Sequence, residues 1–174
     1  MQTINKKGKM IRLLVILLLC LAQLSVCNAQ TVTKTHHSKA VKTDQVSTGT
    51  LTIRKPAYVC ISTDGDKDQL IMDGTQFTMT RGGRKHVTDS KKNAQFATFQ
   101  AVLTAVINGQ PIPAGDDIST VTKGGQQIVT ITPTTGKKRQ MFTSFVLTID
   151  SKSSTFRLLR MNERNGGYTE YVFK

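Results

Sequence analysis

Asp64, Asp66 and Asp68 alternate in the run Asp64-Gly65-Asp66-Lys67-Asp68, a spacing with which a loop of carboxylates can hold a calcium ion. The positions that would complete such a loop are wrong. Counting from Asp64, the sixth residue is Gln69, where glycine makes the turn, and the twelfth is Thr75, where a bidentate glutamate closes the coordination. The run reads as a hydrophilic hairpin tip. His36 and His37 are adjacent and so project to opposite sides of any strand, and His86 is the remaining histidine, which leaves a metal site short of ligands. Cys60 alternates with Tyr58 and Ser62 and has no activating neighbour in the sequence, so it reads as a small packed thiol. Glu163 and Glu170 are the only glutamates, and cross-strand ion pairs with Arg157, Arg160 or Arg164 account for them. There is no nucleophile elbow and no glycine-rich phosphate loop after a strand. Gly82-Gly83, Gly124-Gly125 and Gly166-Gly167 sit between extended runs, as turns do. The sequence predicts no enzyme, no cofactor and no metal centre.

The elements that would position any site are mostly strands. From Gly49 to Thr80, Leu51 and Ile53 alternate with Thr52 and Arg54, Ala57 to Ser62 follows, and Leu70 to Met72 runs through Asp73-Gly74 into Phe77 and Met79. Period-two alternation with Asp-Gly turn chemistry predicts antiparallel strands, and Pro56 belongs at a strand edge, bend or start. Arg84 to Thr88 continues the set, and Ile118–Thr122, Gln127–Thr132, Met141–Asp150, Thr155–Glu163 and Tyr168–Phe173 resume it. On the longest strand, Met141, Phe145, Leu147 and Ile149 are expected on one face, with Phe142 and Val146 on the other. Between the two sets lies one helix, Ala94 to Asn108, capped by Asp89 to Asn93 and stopped by Gly109 and Pro111. Phe96, Phe99, Val102, Leu103, Val106 and Ile107 fall on one face of it, while Ala97, Thr98, Ala101, Thr104 and Ala105 take the other. A helix this oily, in a chain of hairpins, must lie on the sheet or plug its open end.

The ends of the chain differ in kind. Lys6, Lys7, Lys9 and Arg12 precede the apolar run Leu13–Leu21, and Cys27-Asn28-Ala29 closes the segment with small residues, which predicts a signal peptide over 1–29 cut after Ala29. Attachment of lipid at Cys27 is the alternative. Residues 30–48 read as a polar leader or an edge strand ordered from about Thr33. Four of the 24 Lys and Arg and none of the 11 acids lie in residues 1–29, so the rest of the chain carries +9. These cations are dispersed (Lys91-Lys92, Lys137-Lys138-Arg139, Arg157, Arg160, Arg164) and lack interleaved aromatics, which argues against nucleic acid and for anionic headgroups or an acidic partner.

In order and spacing these residues resemble the LolA family of outer-membrane lipoprotein carriers. The resemblance rests on Gly49-x-Leu51-x-Ile53-x-Lys55-Pro56, on Leu70-Ile71-Met72-Asp73-Gly74-x-x-Phe77, on the helix after the next hairpin, and on Phe156-x-x-Leu159-x-Met161-x-Glu163-x-x-Gly166-x-Tyr168-Thr169-x-Tyr171-x-Phe173. It covers residues 49–174 and implies a mainly β, α+β fold: an incomplete antiparallel β-barrel lidded by a helix. It implies a periplasmic monomer that shields the acyl chains of lipoproteins or related lipids, taken from an inner-membrane transporter and passed to an outer-membrane acceptor. The family's lid-controlling arginine stands directly before the proline; here that position is Lys55, which keeps the charge without the planar fork, and Arg54 lies on the opposite face. The chain left after the signal starts too close to the first strand for the family's N-terminal lid helix. On this reading the cavity and lid are built from Leu51, Ile53, Lys55, Met72, Phe77, Met79, Phe96, Phe99, Leu103, Val106, Met141, Phe145, Leu147 and Ile149. A sixteen-carbon chain in water is unfavourable by roughly 12 kcal/mol, so a carrier must cover it and still release it. Methionines 72, 79, 141 and 161, with no tryptophan in the chain, suit such an adaptable lining. The alternative is an exported structural or adhesive β-domain with a filled core.

Overall fold

The computed structural model describes residues 28–41, 43–134 and 140–174. Most of the expected signal segment, with Cys27, and the Lys137-Lys138-Arg139 run lie outside the described residues. Eleven strands form one antiparallel sheet: β1 (Asn28–His37), β2 (Gln45–Arg54), β3 (Tyr58–Thr63), β4 (Asp68–Asp73), β5 (Gln76–Arg81), β6 (Arg84–Asp89), β7 (Ile118–Lys123), β8 (Gln126–Ile131), β9 (Phe142–Asp150), β10 (Phe156–Glu163) and β11 (Tyr168–Phe173). Their order is β6-β5-β4-β3-β2-β1-β11-β10-β9-β8-β7, so β6 and β7 are free edges and the barrel does not close. A 3-10 turn (Ser90–Lys92) and one helix, α1 (Ala94–Ile107), carry the chain from one edge to the other.

The curl of the sheet follows from what the helix touches. Phe99 of α1 stacks on Phe145 of β9 at 4.5 Å, and Phe96 stacks on Phe77 of β5 at 4.3 Å. Those two strands are separated by six others in the sheet, so the sheet must bend around the helix to reach both of its sides. Gly49 marks a sharp part of the bend. A Cβ there would stand 1.8 Å from the Ser62 carbonyl oxygen on β3, so a side chain would push the two strands apart.

Residues 30–48 correct the expectation of a leader or an edge. Asn28–His37 is the middle strand, hydrogen-bonded to β2 on one side and to β11 on the other. Its threonine-rich alternation was compatible with an edge, but Val32 and Lys34 face inward and both are buried. The strand also begins before the predicted cleavage point, with Ala29 paired to Thr52.

Two further positions differ from the period-two reading. A register irregularity opposite Asn162 and Glu163 inserts an extra residue at the start of β9. It turns Phe142 inward, where it is 2% exposed, and leaves Met141 48% exposed just outside the strand. On α1, Ala105 and Gln95 are buried along with the six expected apolar residues, because a helix lying in a trough is covered on its flanks as well as its floor. Asn93 caps α1 by accepting from the Gln95 N–H at 3.2 Å, and Gly109, at φ 65°, follows its last turn.

Candidate lipid-binding site

Between α1 and the floor of the trough lies an apolar crevice. Leu51, Val59, Ile61, Leu70, Met72, Phe77, Leu147, Phe156, Leu159 and Phe173 supply the sheet side, and Phe99 and Leu103 the helix side. Its open volume is about 20 Å³, room for roughly one water molecule. The expectation of a hollow wide enough for a fatty chain is therefore corrected. In this conformation six large helix side chains fill the trough, and Phe99 is 0% exposed.

Polar contacts hold α1 along its length. The Gln95 side chain donates to the Phe142 carbonyl at 2.9 Å near the start, and Thr98 donates to Asp117 at 2.6 Å. Gln100 donates to the Gly74 carbonyl and accepts from the Ser90 hydroxyl. At the far end Asn108 donates to the Pro56 carbonyl at 2.9 Å, which fastens the helix terminus to the β2–β3 turn that holds Lys55.

Below that terminus the trough opens into a recess of about 860 Å³. Its floor is Ile53, Val106, Ile107 and Phe156, and its rim is Arg54, Lys55, Asn108, Gly109 and the β9–β10 turn Ser153–Thr155. Phe156 lines both the recess and the crevice, so the two spaces share a wall. The Arg54 guanidinium stacks 3.8 Å from the centre of the Tyr58 ring. Asp150 shapes the turn: it accepts from the Ser153 N–H at 3.0 Å and hydroxyl at 2.9 Å and from Arg157 at 3.2 Å, contacts that hold its carboxyl at about 2.

The opposite end of the trough is drawn together by charge. Lys34 of β1, 7% exposed, is paired with Asp68 of β4, and Asp68 also accepts from the Gly82 N–H at 2.8 Å. Burial alone would raise the Asp68 carboxyl, but the Lys34, Gly82 and Arg81 contacts outweigh it and hold it below its ordinary value. Arg81 at the end of β5 reaches Glu163 at the end of β10 at 3.3 Å and also contacts His36 of β1. His36 stands 3.2 Å from the Thr169 hydroxyl and 3.9 Å from Glu163. Burial and then the Arg81 charge push its imidazole below the ordinary value, against the opposing pull of Glu163. Glu163 was expected to pair with a neighbouring arginine on the last strands, and its partner is instead Arg81 from across the trough. Glu170 does pair with Arg160, directly opposite on β10, at 3.5 Å.

The residues singled out from sequence are distributed around this trough. Leu51, Met72, Phe77, Phe99, Leu103 and Leu147 meet at the crevice, and Ile53, Lys55 and Val106 at the recess. Phe96, Met79 and Met141 border a smaller space of about 180 Å³ beside β6, while Phe145 and Ile149 are buried in the core. Val59, Ile61, Leu70, Phe156, Leu159 and Phe173 were missed as lining, although each keeps the inward parity of its strand, which was the available signal. Cys60 is half-buried, and burial pushes its thiol up, away from the reactive thiolate form. His36 and His37 do point to opposite faces, the latter to Asp44 at 2.7 Å, and His86 stands on the edge strand β6.

No curated protein matches the chain in sequence. Among solved structures it is similar to a LolA superfamily protein from Nitrosomonas europaea, 5% identical with a TM-score of 0.32 over 84% of this chain and 83% of that one. It is similar also to a DUF1329 family protein from Desulfovibrio piger, 10% identical with a TM-score of 0.40 over 92% and 88%. A third is the lipoprotein LppX of Mycobacterium tuberculosis, 13% identical with a TM-score of 0.34 over 94% and 93%. Likenesses this low do not bear on function. The sequence of residues 23–174 matches that of the outer membrane lipoprotein carrier proteins, LolA, and the chain belongs to that family.

Proposed function

We propose that this protein is a periplasmic carrier that shelters the acyl chains of lipoproteins or related lipids on their way from the inner to the outer membrane. Its work is binding and release, and no covalent chemistry is involved. The observation that carries the reading is the wall shared through Phe156 between a roomy recess and an apolar crevice lidded by α1. Magnitudes favour a lid that stays shut when empty. Phe96, Phe99, Val102, Leu103, Val106 and Ile107 are all buried, and exposing them costs roughly 9–18 kcal/mol. One sixteen-carbon chain returns roughly 12 kcal/mol when it takes their place against the sheet. Opening without cargo is disfavoured, and opening around cargo is close to balanced, which is what reversible carriage needs.

The second reading is an exported structural or adhesive β-domain, and the residual 20 Å³ under the helix favours it. Native mass spectrometry of the protein recovered from cell extracts separates the two. A carrier shows adducts whose masses are those of acylated species and which detergent strips. A protein that runs at its bare mass, and stays bare after incubation with acylated peptide, is the filled-core domain.

A further inference from the structure

The two free edges of the sheet are unlike. On β7 the only charge is Lys123, at the end of a run of Ile118, Ser119, threonines and Val121. On β6 Arg84, Lys85 and His86 are all exposed, and the chain runs on from it into the exposed Lys91 and Lys92. Arg84, Lys85, Lys91 and Lys92 have no ion pair among the described residues, and the one acid of the strand, Asp89, accepts from the Lys91 N–H at 2.9 Å. The backbone of β6 is half used. The Gly82-Gly83 turn sets Arg81 opposite Arg84, and the Ser90 N–H donates to the Thr75 carbonyl at 2.9 Å, so Arg84, His86 and Thr88 direct their N–H and C=O groups to β5 while Lys85 and Val87 turn theirs outward. Beside this edge lies the space of about 180 Å³, walled by Phe77 and Met79 of β5, Phe96 of α1 and Met141. His86 and Thr88 stand opposite Met79 and Phe77, so a strand added to β6 directs alternate side chains to the same concave side, over that space.

Three features define what fits here. Outward N–H and C=O groups take an extended backbone, and the apolar space takes one hydrophobic side chain. The cations select acidic flanks and repel a second copy of the same edge. We propose that β6 is the docking edge for an acidic, extended segment of a partner protein, which pairs with Lys85 and Val87 through its backbone and seats one apolar side chain against Met79 and Met141. This surface goes beyond the carrier reading and does not depend on any cargo.

The probe is a short blocked peptide in which glutamate alternates with threonine about a central leucine, compared with a lysine-for-glutamate version and a serine-for-leucine version. Each is titrated at low salt, with amide exchange read residue by residue. The glutamate peptide is expected to bind roughly tenfold or more tighter than the lysine one, a preference that shrinks as salt is raised. The serine version is weaker by roughly tenfold. Binding slows exchange of the Lys85 and Val87 N–H groups. Val87→Pro removes an outward donor that β5 does not use and abolishes binding, whereas Thr122→Pro, at an outward position of β7, leaves binding unchanged. Where Val87→Pro does not fold, Lys85→Glu with Lys91→Glu decides, and that variant must prefer the lysine peptide. No binding of the glutamate peptide, equal binding of the two charge versions, protection that falls on β7 or the recess instead, or undiminished binding to folded Val87→Pro overturns the docking edge. Phosphatidylglycerol vesicles that bind where the peptide fails overturn it in favour of a membrane-facing surface.

Discussion

The two ends of the trough are built to opposite rules. At one end Lys34, Asp68, Arg81, Glu163 and His36 from four strands are joined across the concave face, so the sheet is cinched. At the other end Lys55 stands exposed on the rim of a recess of about 860 Å³, and among the described residues a side-chain bond from Asn108 to the Pro56 carbonyl fastens the helix to the β2–β3 turn. The lesson is mechanical. A sheet with two free edges needs one fixed end to keep its curl, and the loosely held end is where the proposed carrier would take hydrocarbon in beneath the helix.

The largest expected effect removes the curl on which both ends depend. Gly49→Ala places a methyl group 1.8 Å from the Ser62 carbonyl oxygen, and the strands cannot part there without losing the ladder. We expect a loss of about 3 kcal/mol or more, or failure to fold, seen in urea titrations as a fall in midpoint. A variant as stable as the parent would mean that the bend does not sit at this strand pair.

Next comes the cinched end. Asp68→Asn strands the buried Lys34 ammonium and should destabilise by about 3 kcal/mol, whereas the double change Lys34→Met, Asp68→Leu recovers most of the loss. Equal losses in the single and double variants would assign the effect to packing and not to the pair.

A smaller effect is set by acid. Folded His36 is held neutral and its pKa is lowered, so as pH falls below about 6.5, the ordinary imidazole value, the unfolded chain takes up a proton that the folded one refuses. Stability therefore declines in that window. The Asp68 carboxylate, whose folded pKa is lowered, adds its loss only below about 3.9, where the unfolded chain begins to protonate. Melting curves between pH 7 and 5 should slope for the parent and flatten for His36→Gln, which keeps an acceptor for Arg81. A slope that survives the substitution would place the titrating group elsewhere.

The smallest effect is at the open end. Lys55→Ser should change stability by no more than about 0.5 kcal/mol, because the side chain is exposed and has no ion pair among the described residues. A large loss there would erase the contrast between the ends.

The open sheet, its hairpins and the helix were legible in the sequence because period two, Asp-Gly and Gly-Gly turns and a 3.6-residue apolar stripe are local signals. The central place of β1 was not. Thr31, Thr33 and Thr35 look like edge residues, and only pairing with β11 at the other end of the chain shows otherwise. The same distance hid Arg81–Glu163 and Lys34–Asp68, whose partners lie 82 and 34 residues apart. Met141 and Phe142 exchanged places because an irregularity in strand pairing leaves no mark in residue type. The filled crevice was hidden for a different reason: residue types fix an apolar lining, but whether Phe99 and Leu103 occupy the space or border it depends on where the helix rests.

A carrier of this build must let hydrocarbon displace those side chains from the sheet. A fatty acid carrying a nitroxide at its methyl end, added to protein with labelled leucine methyl groups, reads this directly. Paramagnetic broadening of Leu103, Leu51 and Leu159, deep beneath α1, is the expected result. Broadening confined to the surface, with those three methyl resonances left sharp at saturating fatty acid, would contradict it.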